Sequence, residues 1–95
     1  MRPTVAQLYI LNKIEVGTHK VIVDLTRDNL NIGTVRQIMA AALHAMNDNE
    51  LTEIFVKTSG YSDHRDRIMK AYDCHRYGGL NGYRLVNPNH EDRRF

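Results

Sequence analysis

The residues best suited to hold a ligand lie after Val56. Lys57, Thr58, Ser59 and Gly60 form a small-residue loop leading into a helical stretch that carries His64 and Arg65. A strand, such a loop and a helix N-terminus leave backbone N–H groups unpaired, and these attract anions. A cation in a first helical turn opposes the helix dipole, so His64 and Arg65 cost stability there unless an anion sits beside them. A plain connecting loop accounts for the same letters if Asp63 and Asp66 already satisfy the dipole. The Gly-x-x-x-x-Gly-Lys-Ser/Thr pattern of a nucleotide-binding loop is absent.

A second group is the histidine and cysteine set. If residues 62–76 form one helix, His64, Ile68, Ala71, Tyr72 and His75 share a stripe. The two histidines would then stand roughly 16 Å apart along the axis, too far for bonds of about 2 Å to one metal ion. Cys74 and His75 diverge by about 100° on the same helix. A core stripe with a histidine at each end is the plainer account. Asp63-His64-Arg65-Asp66 is similar to a kinase catalytic loop in letters only, since the chain is too short for that fold. No metal, no cofactor and no catalytic residue is expected. The enzymatic alternative is a metal-free phosphodiesterase using His64 with Arg65, which needs a second group brought close by the fold.

The third group is basic and aromatic: Lys57, Arg65, Lys70, Arg76, Tyr77, Tyr83, Arg84, Arg93 and Arg94. Lys and Arg neutralise phosphates, and Tyr rings offer stacking platforms to unpaired bases. Asn81-Gly82 is a tight-turn signal that would project Tyr83 and Arg84 from a hairpin tip. In outline this resembles the wing of a winged helix. It departs from one because residues 48–61 read as a strand where a helix-turn-helix needs a turn of about three or four residues. Interspersed acids dilute the patch, so a solvated helix face explains it equally simply. Met39, Met46 and Met69 could serve as adaptable contact residues, but at helical spacing they belong in a core.

Several elements must position these residues. Residues 7–16 and 19–26 are rich in β-branched side chains. Leu8, Ile10, Ile14 and Val16, and then Val21, Val23 and Leu25, recur at period two. With Gly17-Thr18 as the turn they predict a hairpin. A competing helix over residues 4–13 fits Val5, Leu8, Tyr9 and Asn12. Residues 34–47 predict a helix, because Val35, Ile38, Met39, Ala42, Leu43 and Met46 make one buried stripe. Thr34 and Gln37 read as its capping box, and Asn47 and Asn49 suit its exit. Residues 51–58 predict a strand. Residues 62–76 predict a helix capped by Ser62, with Asp63–Arg67 and Asp66–Lys70 as favourable pairs and Gly78-Gly79 as the stop. Tyr83 to Asn87 predicts a last strand, ended by Pro88. The fold expected is α+β in the order β-β-α-β-α-β. It has about four strands in a mixed or antiparallel sheet and two helices on one face.

Composition sets the frame. The 95 residues suit one domain, expected over residues 1–88 with a polar tail at 89–95. The single Cys74 cannot close an internal disulfide. No apolar run approaches the roughly 18 residues of a membrane span, and no signal peptide is evident, so a cytoplasmic protein is expected. The net charge is +2. Residues 1–56 carry five Lys/Arg against six Asp/Glu, and residues 57–95 carry eight against five, so the basic excess lies in the second half.

The function expected is a small nucleic-acid-binding regulatory module that contacts RNA or single-stranded DNA. Lys57, Ser59, Gly60, His64, Arg65, Lys70, Arg76 and Arg84 would hold phosphate, and Tyr77 and Tyr83 would stack. The alternative is a protein-binding regulator or inhibitor that occludes a larger partner, with a viral accessory protein and a homodimer among its forms. The same Tyr and Arg residues are enriched at protein interfaces.

Overall fold

A computed structural model describes residues 4–15, 17–28, 30–48, 50–78 and 81–88. The order is α1 (Val5–Lys13), β1 (Lys20–Asp24), α2 (Ile32–Asn47), β2 (Glu53–Lys57), α3 (Asp63–Lys70), β3 (His75–Arg76) and β4 (Gly82–Val86). The strands form one mixed sheet in the order β1-β2-β4-β3. β1 and β2 run parallel, joined by the crossover through α2, and the other pairings are antiparallel. The fold is α+β with a four-stranded sheet, as expected, but the described residues form three helices, and the first segment is a helix.

The predicted hairpin over residues 7–16 and 19–26 is replaced by α1 and β1. Thr4 starts α1 with a full capping box, its hydroxyl accepting from Gln7 N–H while the Gln7 side chain accepts from Thr4 N–H. Of the period-two residues, Ile10 is buried, whereas Leu8 is exposed. Gly17, at φ +88°, does make a turn, but it joins a helix to a strand. One antiparallel bridge, Glu15 to Lys20, is what remains of the hairpin. α2 begins at Ile32, earlier than expected, because the Asn31 side chain accepts from Thr34 N–H and displaces Thr34 as the cap.

The predicted helix over 62–76 starts at Ser62 as expected but stops at Lys70. Cys74 N–H donates to the Met69 carbonyl and Asp73 N–H to the Lys70 carbonyl, with Asp73 at φ 59°. This is a Schellman ending with Asp73 where glycine is usual, and it turns the chain into β3. His75 and Arg76 are therefore strand residues. Gly82, expected in a tight turn, is the first residue of β4. Gly79 and the tail at 89–95 lie outside the described residues.

The helices cover one sheet face. Val21, Val23, Ile54, Val56, Tyr83 and Leu85 point into a core closed by Ile10 of α1, by Val35, Ile38, Met39, Ala42 and Met46 of α2, and by Met69 of α3. The methionines expected in the core are there. Buried Asn87 ties the fold's far end, its side-chain amide donating to the carbonyls of Met46 and Leu51 at 3.0 Å each.

The outer edge of β1 is clipped at both ends. His19 carbonyl and Leu25 N–H bond toward β2, so the main-chain groups of Lys20, Ile22 and Asp24 point outward. Glu15 N–H donates to the Lys20 carbonyl, and Asp28 N–H donates to the Asp24 carbonyl. No helix among the described residues is long and apolar enough to cross a membrane.

Candidate functional site

Among the described residues no helix covers the second face of the sheet. Strand alternation brings Lys20, Ile22, Asp24, Glu53, Phe55, Lys57, Arg84, Val86 and His75 onto it. The register sets Ile22 beside Phe55, Phe55 beside Arg84, and Arg84 beside His75, so one row crosses all four strands. Tyr77 follows β3 and returns to this face. Its ring meets Phe55 edge to face, with centroids 6.0 Å apart and planes at 85°. The Arg84 guanidinium lies 5.0 Å over the Tyr77 ring. Ile22 is 62% exposed and Tyr77 37%. These residues line an open, largely apolar depression of about 440 Å³, rimmed by Glu15, Lys20, Glu53, Lys57 and Asn81.

Gly82 shapes this face. The Phe55 ring lies across it so closely that a Cβ there would stand 2.7 Å from Phe55 Cζ. The Tyr61 hydroxyl accepts from Gly82 N–H and donates to the Gly82 carbonyl, both at 3.1 Å, which pins the start of β4.

Charge on the face is partly matched. Glu53 accepts from Arg84 Nε at 2.6 Å and lies 3.6 Å from Lys20 Nζ. Burial pushes the Glu53 carboxyl up, but its hydrogen bond to Arg84 and the Arg84 and Lys20 charges hold it below its ordinary value. Lys57 has no carboxylate partner among the described residues. The face therefore offers two rings, the aliphatic Ile22 and Val86, one cation stacked on a ring, and Lys57, which faces Asp24 across the β1–β2 register without an ion pair.

The residues expected to bind phosphate or bases do not form one surface. Lys57, Tyr77 and Arg84 lie on the open face. Ser59 and Gly60 lie in the loop after β2, with Arg65 donating to the Gly60 carbonyl at 2.8 Å. His64 and Lys70 are exposed on α3. Arg76 is opposite Tyr83 in register and points to the helix side. There it grips Asp66 through Nε at 3.1 Å and Nη2 at 2.5 Å, with its guanidinium 4.4 Å over the Tyr61 ring. Tyr83 is 1% exposed, so its ring has no open face for a base. Its hydroxyl donates to Asp66, and its ring packs on Tyr61 with centroids 5.4 Å apart.

This second cluster is structural. Arg76 and then Tyr83 hydrogen-bond the Asp66 carboxyl and hold it below its ordinary value of 3.8. Burial first, then Asp66, pushes the Tyr83 hydroxyl up to about 12. A depressed carboxyl stabilises the fold above its unfolded value, and that contribution disappears as pH falls through the folded value. Wild type is thus more stable than Asp66→Asn near neutrality. The gap closes as pH drops below 3.8. Denaturant titrations of both proteins at several pH values check this; a gap independent of pH would remove Asp66 from the acid response.

The thiol of Cys74 is buried, which pushes it up to about 12 and leaves it unreactive. His64 and His75 sit on different elements, so the helical stripe with a histidine at each end does not exist. Among the described residues no three His, Cys, Asp or Glu side chains cluster as a metal site.

Ile22, Phe55 and Lys20 were not singled out by sequence. One signal was available for Phe55. In Glu53-Ile-Phe-Val-Lys57 the strand alternation puts Ile54 and Val56 inward, which leaves an aromatic ring in the outward, otherwise charged register. Searches of family models, curated proteins and solved structures return no match to this chain.

Proposed function

We propose that the chain is a small nucleic-acid-binding module that takes single strands across the open face of its sheet. The observation carrying this reading is the Phe55–Tyr77 ring pair on a four-stranded face that no described element covers, with Arg84 stacked on one ring and Lys57 beside it. Unpaired bases stack on aromatic rings and on guanidinium planes, whereas a duplex hides its base faces. Lys57 supplies the unmatched charge for a phosphate. The interface is narrower than the basic and aromatic set read from sequence: it keeps Lys57, Tyr77 and Arg84 and adds Phe55, Ile22 and Lys20.

Fluorescence anisotropy with labelled single-stranded RNA and DNA tests it. Phe55→Ala and Tyr77→Ala each weaken binding by roughly ten- to a hundredfold, the value of one base stack. Lys57→Ala lowers the salt slope by about one ion. Arg76→Ala, on the opposite side of the sheet, leaves affinity unchanged. Absence of binding at low salt, or equal loss from Arg76→Ala and Phe55→Ala, defeats the reading.

The second reading, a protein-binding regulator, draws on the 62% exposure of Ile22 and the near balance of charge on the same face. A protein ligand would be lost on Ile22→Asp with little salt dependence.

A further inference from the structure

Arg65 differs from the other arginines whose partners are described. Arg76 and Arg84 each meet a carboxylate, but Arg65 meets none among the described residues. Its guanidinium is half-buried and donates once, to the neutral Gly60 carbonyl. It lines a cavity of about 170 Å³ with Thr26, Thr58 and Ser59 on the polar side and Leu25 and Leu30 behind. The cavity sits at the carboxyl ends of the parallel pair β1 and β2. The Thr58 hydroxyl is used locally, on the Gly60 or Asn81 carbonyl. The Thr26 and Ser59 hydroxyls have no partner among the described residues. Of the nearby acids, Asp24 accepts from Thr26 and Arg27 N–H, and Asp66, next to Arg65 on α3, bonds Arg76 and Tyr83 and reaches Arg65 only through space.

Asp66 acts on Arg65 only through space, so the guanidinium keeps donors free, and these match a tetrahedral oxyanion. We infer that this cavity is a phosphate subsite, in which Arg65 supplies charge-assisted hydrogen bonds and Thr26 and Ser59 add hydroxyl donors. The ligand is inorganic phosphate or a phosphate monoester at the end of a strand. The site uses neither ring of the open face, so it stands or falls separately from the reading above.

The test is an amide and arginine Nε NMR titration with inorganic phosphate, against sodium chloride at matched ionic strength. Saturable shifts are expected at Thr26, Ser59, Gly60 and the Arg65 side chain. Arg65→Gln abolishes saturation, while Arg67→Gln and Phe55→Ala leave it intact. Since Arg65 also braces Gly60, Ser59→Ala gives an independent reading: it removes an exposed hydroxyl with no described partner, and affinity falls about three- to tenfold, the value of one hydrogen bond. Shifts equal to those in chloride overturn the inference, as does unchanged affinity in both Arg65→Gln and Ser59→Ala. The source is read by comparing 5′-phosphorylated and unphosphorylated single strands. A preference for the former that Arg65→Gln erases identifies a strand terminus. Equal binding of the two strands, with inorganic phosphate still saturable, identifies the free ion.

Discussion

Replacing Asn87 by leucine lowers the free energy of unfolding by about 2–4 kcal/mol, since each buried polar group left without a partner costs about 1–3 kcal/mol. Asn87 is 2% exposed, and its amide serves two carbonyls from separate elements, Met46 at the end of α2 and Leu51 before β2. Its backbone N–H also donates to the Thr52 carbonyl. Leucine keeps that backbone bond and most of the volume, so the loss falls on the amide. Asn87→Asp is at least as damaging, because a carboxylate would face two acceptors with nothing to donate. Urea denaturation measures both variants. A loss below about 1 kcal/mol would mean that the carbonyls find other donors.

Gly82→Ala is the second large effect, and it couples the fold to the site. The new Cβ would stand 2.5 Å from the Val56 carbonyl oxygen and 2.7 Å from Phe55 Cζ. The ring can swing away, but the carbonyl belongs to the neighbouring strand and cannot. Overpacking of this kind costs about 1–3 kcal/mol, and here the backbone contact puts the expectation at the upper end. The displaced ring also leaves Tyr77, so the base stacking proposed for this face would weaken even in molecules that remain folded. A double-mutant cycle separates the two contributions. Phe55→Ala relieves the ring contact but not the carbonyl contact, so Gly82→Ala costs less in that background without becoming neutral. Full additivity would show that the ring does not press on Gly82.

The sequence made some of this legible and hid the rest for identifiable reasons. The stripe from Val35 to Met46 shows α2 because six apolar residues at helical spacing admit one reading. Residues 4–13 admit two, since Leu8 and Ile10 alternate at period two while Val5 and Tyr9 fit a helix. The decisive cue was Thr4-Val-Ala-Gln7, the same capping signature as Thr34-Val-Arg-Gln37. The structure uses the first and replaces the second with Asn31. The end of α3 was hidden because a non-glycine residue, Asp73, takes the left-handed position. That one turn decides which side of the sheet Arg76 faces, and with it the composition of the candidate surface. Lys57, Tyr77 and Arg84 were visible as types. Their meeting with Phe55 depends on β4 pairing antiparallel to β2, and Ile22 joins them because β1 lies parallel to β2, pairings that no local pattern encodes.

The clipped margin of β1 bears on how the molecule behaves in a crowd. A bare strand at a sheet border is a template on which another extended chain can grow. Here the Glu15 and Asp28 amides occupy the first and last of the outward carbonyls, so an incoming strand finds a foothold only around Ile22. Ile22 can therefore remain solvent-facing without the β1 border recruiting further copies into a growing ribbon.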